Sequence, residues 1–304
     1  MSIYRHTVTK VESMPLGEYL RRAIPFLPSK ASVKKALSKD LVKLNGRKCG
    51  YFDRVGPGDK IFITRPQRRS PRPAIPVQDI PVIYQDDHCI IVNKPGGIAV
   101  NGNRHKTVEN VLQHKIPVSP KKDALPFARP VHRLDVPTSG LLILARTKSF
   151  QVEIGRGLQN KEVQKQYVAV VHGTLNGEGV IEKPLDGLYC KTQYRVLKTV
   201  PSVNFGALTM VHLSPITGRT HQLRKHMKAI GHPIAGDKQY NDSSYMLQGK
   251  GMLLCSVSLK FKHPIIETDV NVEIDIPRKF HRVLEREVKF YNKKGRTLPD
   301  SPPK

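Results

Sequence analysis

His132-Arg133-Leu134-Asp135-Val136-Pro137-Thr138-Ser139-Gly140-Leu141-Leu142 sets one carboxylate beside two basic side chains, on a turn that leads into an apolar run. The ring of Pro137 disfavours helix at Val136, and Thr138-Ser139-Gly140 continues the turn chemistry. Leu141-Leu142-Ile143-Leu144-Ala145 is unbroken, apolar and of strand length, which predicts a strand buried on both faces. A polar loop held by such a strand is suited to presenting a reactive side chain. At this point Asp135 has two readings: a reactive carboxylate, or a cap for the N–H groups of its own turn.

Outward from this stretch, Ile80–Tyr84 and Cys89–Lys94 read as strands joined by Gln85-Asp86-Asp87-His88. Pro95-Gly96-Gly97 ends the second, because proline has no ladder donor and glycine accepts positive φ. A short helix is expected over Thr107–His114. Another is expected over Phe150–Leu158, although Gly155 and Gly157 weaken it. Tyr167–Val171, Tyr194–Leu197 and Ala207–Leu213 read as strands. Thr217–Met227 opens a helix whose stripe is Leu223, Met227 and Ile230, closed by Gly231 and Pro233. Ser258–Phe261 and the alternating Val270–Ile276 are further strands, and a last helix is expected from Pro277 to Phe290. This irregular mixture predicts an α+β domain with a mostly antiparallel mixed sheet over residues 77–290, followed by a disordered basic tail over 291–304.

The chain before it reads differently. Residues 15–24 carry Leu16, Leu20, Ala23 and Ile24 at helical spacing, and Ser29 is a good N-cap for a second helix with Val33, Ala36 and Leu37 inward. Lys30, Lys34, Lys35 and Lys39 make the rest of that helix basic. Asn45-Gly46 after Leu41–Leu44 is a strong hairpin signal, and Gly56-Pro57-Gly58-Asp59 turns into the strand Lys60–Ile63. A small helix–helix–hairpin domain over 1–64 is expected. Pro66, Pro71 and Pro73 among arginines make 65–76 an extended linker.

Composition narrows the chemistry. The chain has 304 residues, with 51 Lys and Arg against 25 Asp and Glu, a formal charge of +26. So large an excess opposes compaction and calls for a polyanionic partner, RNA or DNA above all. No stretch approaches the roughly 18 apolar residues of a membrane span, and the first residues have no apolar signal core. A cytoplasmic location without membrane association is therefore expected. Cys49, Cys89, Cys190 and Cys255 form no CxxC pair, so a zinc ribbon is not expected. His221 and His226 are spaced poorly for one helical face, and no metal site is expected. No G-x-G-x-x-G or Walker loop follows a strand. Glycoside hydrolysis generally needs two carboxyl groups, and these motifs offer one. A single aspartate can still act as nucleophile or base if cations keep it ionised when substrate excludes water. Arg224 and Arg133 are the candidates for that task.

The ordered set of motifs goes further. Asn93-Lys94-Pro95, His132-Arg133-Leu134-Asp135 with Thr138–Leu142, Lys165-Gln166-Tyr167, Val171-His172-Gly173, Gly218–Arg224 and Gly231–Asp237 together resemble the RluA-type pseudouridine synthases, over about residues 80–280. One departure is visible: many members carry a His-Ala pair where this chain has Cys255-Ser256. The resemblance implies an isomerase that detaches uracil, rotates it and rejoins it through carbon 5 without a cofactor. It implies Asp135 as the catalytic carboxylate, Tyr167 packed on the flipped base, Arg224 paired with Asp135, and Arg133 holding the nucleotide out of its stack, since a stacked base cannot be turned. Arg219 and His221 are expected to touch RNA. The N-terminal region resembles the alpha-L domain first seen in a ribosomal small-subunit protein, which implies that Lys30, Lys34, Lys35 and Lys43 meet phosphates. Ribosomal RNA is favoured over transfer RNA as substrate, and a monomer is expected. The alternative from another class is an RNA-binding or ribosome-assembly protein without catalysis.

Overall fold

The computed structural model describes residues 2–9, 13–27, 29–65, 79–102, 106–241 and 251–294. The chain divides into two compact units, Met1–Pro73 and Ala74–Lys304. That division falls within the expected linker, of which 66–76 lies outside the described residues, as do 77–78 and the expected tail from 295 onward.

The first unit contains strands β1 (Ser2–Thr7) and β2 (Met14–Pro15), helices α1 (Leu16–Ala23) and α2 (Lys30–Ser38), then β3 (Val42–Leu44), β4 (Arg47–Lys48), β5 (Arg54–Val55) and β6 (Lys60–Arg65). Ser29 starts α2 with a reciprocal cap: its hydroxyl accepts from Ser32 N, and the Ser32 hydroxyl accepts from Ser29 N, both at 3.1 Å. Asn45 and Gly46 both have positive φ between β3 and β4, as a tight hairpin turn requires. Leu16, Leu20, Ile24, Val33, Val42, Ile61 and Ile63 share its core. Lys30, Lys34, Lys35 and Lys43 are exposed.

The second unit is built on one broad sheet. In chain order its elements are β7 (Val82–Gln85), β8 (Cys89–Lys94), α3 (Val108–Leu112), β9 (Ala124–Pro130), β10 (Ser139–Thr147), α4 (Lys148–Gln159), β11 (Gln164–His172), β12 (Glu178–Ile181), β13 (Thr192–Ser202), β14 (Gly206–Pro215), α5 (Gln222–Ala229), β15 (Leu254–Lys262), β16 (Asp269–Glu273) and α6 (Arg278–Lys293). The strand order is β12-β13-β14-β11-β15-β10-β8-β7, with β16 on β15 and β9 on β10. Among the described residues, every pairing of these strands is antiparallel except a short parallel contact between β10 and β15. The unit is thus an α+β fold on a mostly antiparallel sheet.

Period-2 alternation sorts the central strands between two faces. Leu142 and Leu144 of β10, with Tyr167, Ala169 and Val171 of β11, join a core that includes Val108 and Leu112 of α3 and Leu223 and Met227 of α5. Leu141, Ile143 and Ala145 pack on the other face with Phe150 and Ile154 of α4. Val168 and Val170 face Phe280, Val283 and Leu284 of α6. Burial on both faces is why the run after Asp135 is apolar without a break. Each fully buried leucine contributes about 1.5–3 kcal/mol.

Several expectations change. The helix expected from Thr217 starts at Gln222, because side chains stitch the preceding residues into a loop. Thr217 Oγ accepts from Lys191 N at 3.0 Å, Gln222 Oε1 accepts from Thr217 Oγ and Arg219 N, and His221 takes a positive φ of 56°. Strand β15 starts four residues before Ser258, α4 tolerates both of its glycines, and α6 carries Tyr291–Lys293, the start of the expected tail. Strands β1, β9 and β12 were not expected. Pro126 and Pro130 hide β9, which among the described residues pairs only with β10 and so can spare ladder donors on its other edge.

Gly140 lies where β10 passes β15, with φ at 110° and Ser256 O only 2.1 Å from where a Cβ would stand. Gly140→Ala is expected to lower stability by about 2 kcal/mol or more, from backbone strain and overpacking. Urea denaturation of the two proteins measures it, and an unchanged midpoint would contradict this placement.

Candidate active site

Asp135 stands on the loop between β9 and β10, and buried groups hold that loop from below. Lys94, fully buried at the end of β8, donates from Nζ to the carbonyls of Pro95 and Ile98 at 3.0 Å and of Val136 at 3.3 Å. Burial pulls its pKa down to about 8, while the Asp135 charge works the other way. Gly97 N donates to Val136 O at 2.7 Å, and Pro137 O lies 2.9 Å from where a Gly96 Cβ would stand. The Gly96-Gly97 pair thus serves close backbone approach. His132 Nε2 accepts from Ile143 N at 3.1 Å, and burial first, then the Lys165 charge, depresses that imidazole to about 3, so it is neutral.

The carboxylate meets its cation across the fold. Arg224, on α5, donates from Nη1 to Asp135 Oδ2 at 3.1 Å. The rest of its fork is bidentate on Asp237, Nε to Oδ2 at 2.7 Å and Nη2 to Oδ1 at 2.8 Å, with Gln239 Oε1 at 3.2 Å from Nη2. The Tyr240 ring lies 4.8 Å from the guanidinium carbon. Burial alone would lower the Arg224 pKa, but the hydrogen bonds and charge of Asp237, then of Asp135, raise it. Burial would raise Asp237, yet Arg224 and the N–H groups of Gln239 and Tyr240 bring it below the usual carboxylate range. His221 Nε2 lies 3.6 Å from Asp135 Oδ1, and its Nδ1 is 2.9 Å from Tyr240 OH. Burial lowers the His221 pKa against the opposing pull of Asp135.

A cavity of about 260 Å³ opens above this pair. It is lined by all six residues named for this domain from the sequence: Asp135, Tyr167, Arg224, Arg133, Arg219 and His221. Leu134, Leu223 and Leu254 give it an apolar wall. The Tyr167 phenol is pushed up to about 12 by burial, with the Ser256 hydroxyl opposing and the Asp135 charge adding. Ser256 is opposite Tyr167 in the β11–β15 ladder, and its buried Oγ has no aligned hydrogen-bond partner among the described residues. Lys30, Lys34, Lys35 and Lys43 belong to the other unit.

Sequence reasoning gave no role to Asp237, Gln239, Tyr240, Lys94 or Lys165. Asp237 had one usable signal, an acid within the Gly231–Asp237 motif of a strongly basic chain. One cluster among the described residues has the composition of a metal site: Asp86, Cys89 and His263. Its hydrogen bonds argue for a structural role. His263 Nδ1 accepts from Ile265 N and Ile266 N, both at 3.2 Å, which puts the ring proton on Nε2, 3.3 Å from Asp86 Oδ2. The nitrogen facing the cluster therefore has no lone pair for a cation. Asp86 also accepts from Tyr84 OH and from the N–H groups of His88 and Cys89, which closes the β7–β8 turn.

Residues 88–229 match the family described as RNA pseudouridylate synthase. A ribosomal large subunit pseudouridine synthase C from Rickettsia bellii is 31% identical over 309 residues, covering 91% of this chain and 99% of that one. A dual-specificity RNA pseudouridine synthase RluA from Haemophilus influenzae is 36% identical over 60% of this chain and 87% of its own. A ribosomal large subunit pseudouridine synthase D from Nitrosomonas europaea is 39% identical over 188 residues, 52% of its own length. Among solved structures, human RNA pseudouridylate synthase domain containing 4 is 26% identical with a TM-score of 0.54, covering 67% of this chain and 92% of that one. Human RNA pseudouridylate synthase domain containing 1, 23% identical with a TM-score of 0.57 over 75% of this chain and all of that one, shares the fold.

Asp237→Asn removes the charge that Arg224 Nε and Nη2 face, and breaking such a buried pair is expected to cost about 3–5 kcal/mol. The carboxyl's folded pKa is lowered, so its contribution is complete above the unfolded value and disappears as pH falls through the folded one. The stability gap between wild type and Asp237→Asn should therefore narrow below about pH 4. Denaturant titrations at a series of pH values measure it, and a gap that widens on acidification would reverse the assignment.

Proposed function

Because the chain belongs to the RluA-type RNA pseudouridine synthases, we propose that its Asp135 pocket isomerises uridine to pseudouridine in structured ribosomal RNA. The observation that carries this reading is the approach of Arg224 to Asp135 in a semi-enclosed, partly apolar cavity beside Tyr167. An aspartate meant only to cap its turn has no use for a buried guanidinium from a distant helix. One meant to work as nucleophile or base at a sugar must stay ionised after RNA displaces water, and Arg224 supplies that.

In this reading the target nucleotide leaves its stack and enters the cavity. Asp135 engages the ribose, the glycosidic bond breaks, and the uracil turns against the ring of Tyr167 and the leucine wall. Carbon 5 then bonds to the sugar and loses its proton. Arg133, exposed at the mouth, holds the displaced nucleotide, while Arg219 and His221 contact the strand. No cofactor takes part, so conversion persists in chelator. The exposed lysines of α2 and β3 are read as an alpha-L-type interface that adds affinity through phosphates and carries no base identity.

Three measurements test the proposal. Asp135→Ala and Asp135→Asn should abolish pseudouridine formation while RNA binding persists; continued product would sink the assignment. Pseudouridine maps of ribosomal and transfer RNA from cells with and without the gene identify the substrate. Changing Lys30, Lys34 and Lys35 to alanine should flatten the dependence of log affinity on log salt by about 2–3, since each phosphate neutralised contributes roughly 0.7–0.9 to that slope. An unchanged slope would remove the first unit from the RNA interface.

A further inference from the structure

Of the cavity's cations outside the pairing of Asp135 with Arg224, one lysine is half-buried. Lys165, on β11 two residues before Tyr167, lines the same cavity. Its ammonium makes no hydrogen bond and no ion pair with any described residue, whereas Arg224 is committed to Asp135, Asp237 and Gln239. Its surroundings favour a neutral group: burial lowers its pKa, and the neighbouring His132 is uncharged and occupied by Ile143 N. The other cations of the cavity are differently placed, since Arg133 and Arg219 are exposed and His221 stands against Asp135. Lys165 is half-buried, and a charge with no partner that keeps only part of its hydration is costly. Such an arrangement is kept where an anion arrives during the working cycle.

The isomerisation itself generates that anion. When the C1′–N1 bond breaks, its electron pair leaves with the base, so detached uracil carries a negative charge shared by N1, O2 and O4. The ring turns while charged. C5 then supplies the pair that forms the C5–C1′ bond, and the carboxylate of Asp135 is released. The proton lost from C5 is balanced by the one that N1 gains. A partner for this species must hold charge without fixing direction. A lysine ammonium is a compact point charge on a flexible stem with three rotatable donors, whereas an arginine fork binds in one plane.

We infer that Lys165 is a further catalytic residue, the counter-ion that retains the detached uracil anion while it turns in the pocket. The inference rests on the proposed isomerisation. It also accounts for the lack of a carboxylate beside Lys165 among the described residues, because a permanent partner would cancel the charge before the base arrived. The step acts by placing charge where it develops, the mode in which removal of one group typically costs about 10²–10³ in rate.

Single-turnover kinetics with saturating enzyme test this on a stem-loop RNA that the wild type converts. Lys165→Met is expected to slow conversion roughly a hundredfold with RNA affinity unchanged and thermal stability equal to or above wild type. Lys165→Arg, which restores the charge but not its freedom, should fall between the two. RNA carrying 5-fluorouridine at the target should show a smaller Lys165→Met deficit in uridine consumption, because fluorine itself spreads the charge of the leaving base. A loss confined to RNA affinity would make Lys165 a phosphate ligand and overturn the inference. Equal deficits on both RNAs, or a wild-type rate in Lys165→Met, would do the same. If Lys165→Met fails to fold, Lys165→Arg compared on the two RNAs decides by the same criterion. Failure of the wild type to make any pseudouridine would refute the isomerase reading instead, a distinct result.

Discussion

One guanidinium joins the parts of the second unit that matter most. Arg224 reaches from α5 to Asp135 on the β9–β10 loop and to Asp237 beyond the helix. Taking three charged groups out of water is expensive, and in general a buried ion pair is weak evidence for stability. The geometry here divides the labour. Asp237 is 1% exposed and takes two arginine N–H groups, with two backbone N–H groups completing its shell. That carboxylate stabilises the arginine. Asp135 receives a single bond at 3.1 Å and keeps 17% of its side chain exposed, so an oxygen remains accessible from the cavity. Asp237 fixes the guanidinium so that Asp135 need not.

Fixing the cation would accomplish little if the carboxylate could drift. The loop that carries Asp135 has no regular ladder, so its backbone must be satisfied by other means. Lys94 answers this with an ammonium spread over three carbonyls, including that of Val136, immediately after Asp135. Glycine is required at 96 and 140 because backbone of the loop and of β15 passes where a Cβ would stand. The site is therefore held from two directions, by charge from α5 and by backbone packing from β8 and β10. Tyr167 needs no such support, since burial and strand register already place it.

How much of this the sequence discloses follows from where each constraint resides. The apolar run 141–145 announces its strand because burial on both faces demands an unbroken pattern. The start of α2 is legible because Ser29 caps it through a local bond. Features set by distant partners are not legible. Nothing near Thr217 says that Gln222 will bond back to it and delay the helix, and Pro126 and Pro130 disguise β9 because an edge strand tolerates them. Within the pocket, residue types and motif order named Asp135, Tyr167 and Arg224. Asp237 and Lys94 act through bonds that cross from one segment to another, so spacing alone could not assign their roles. The Asp86–Cys89–His263 group shows the opposite hazard, for its composition suggests a metal and only its hydrogen-bond directions argue otherwise.

The net charge of the chain works on a longer range than any of these bonds. A net +26 gives affinity for a polyphosphate but no chemistry. It also threatens the chemistry, because loosely bound phosphate competes for any cation near Asp135. The two kinds of cation are separated by burial. The lysines of α2 and β3 are exposed, where salt screens them. Arg224 is 4% exposed and held by carboxylates, so a phosphate cannot displace it without uncovering Asp237. Burial thus separates the cations that face solvent from the one that holds Asp135, whose carboxylate keeps part of its surface open to the cavity.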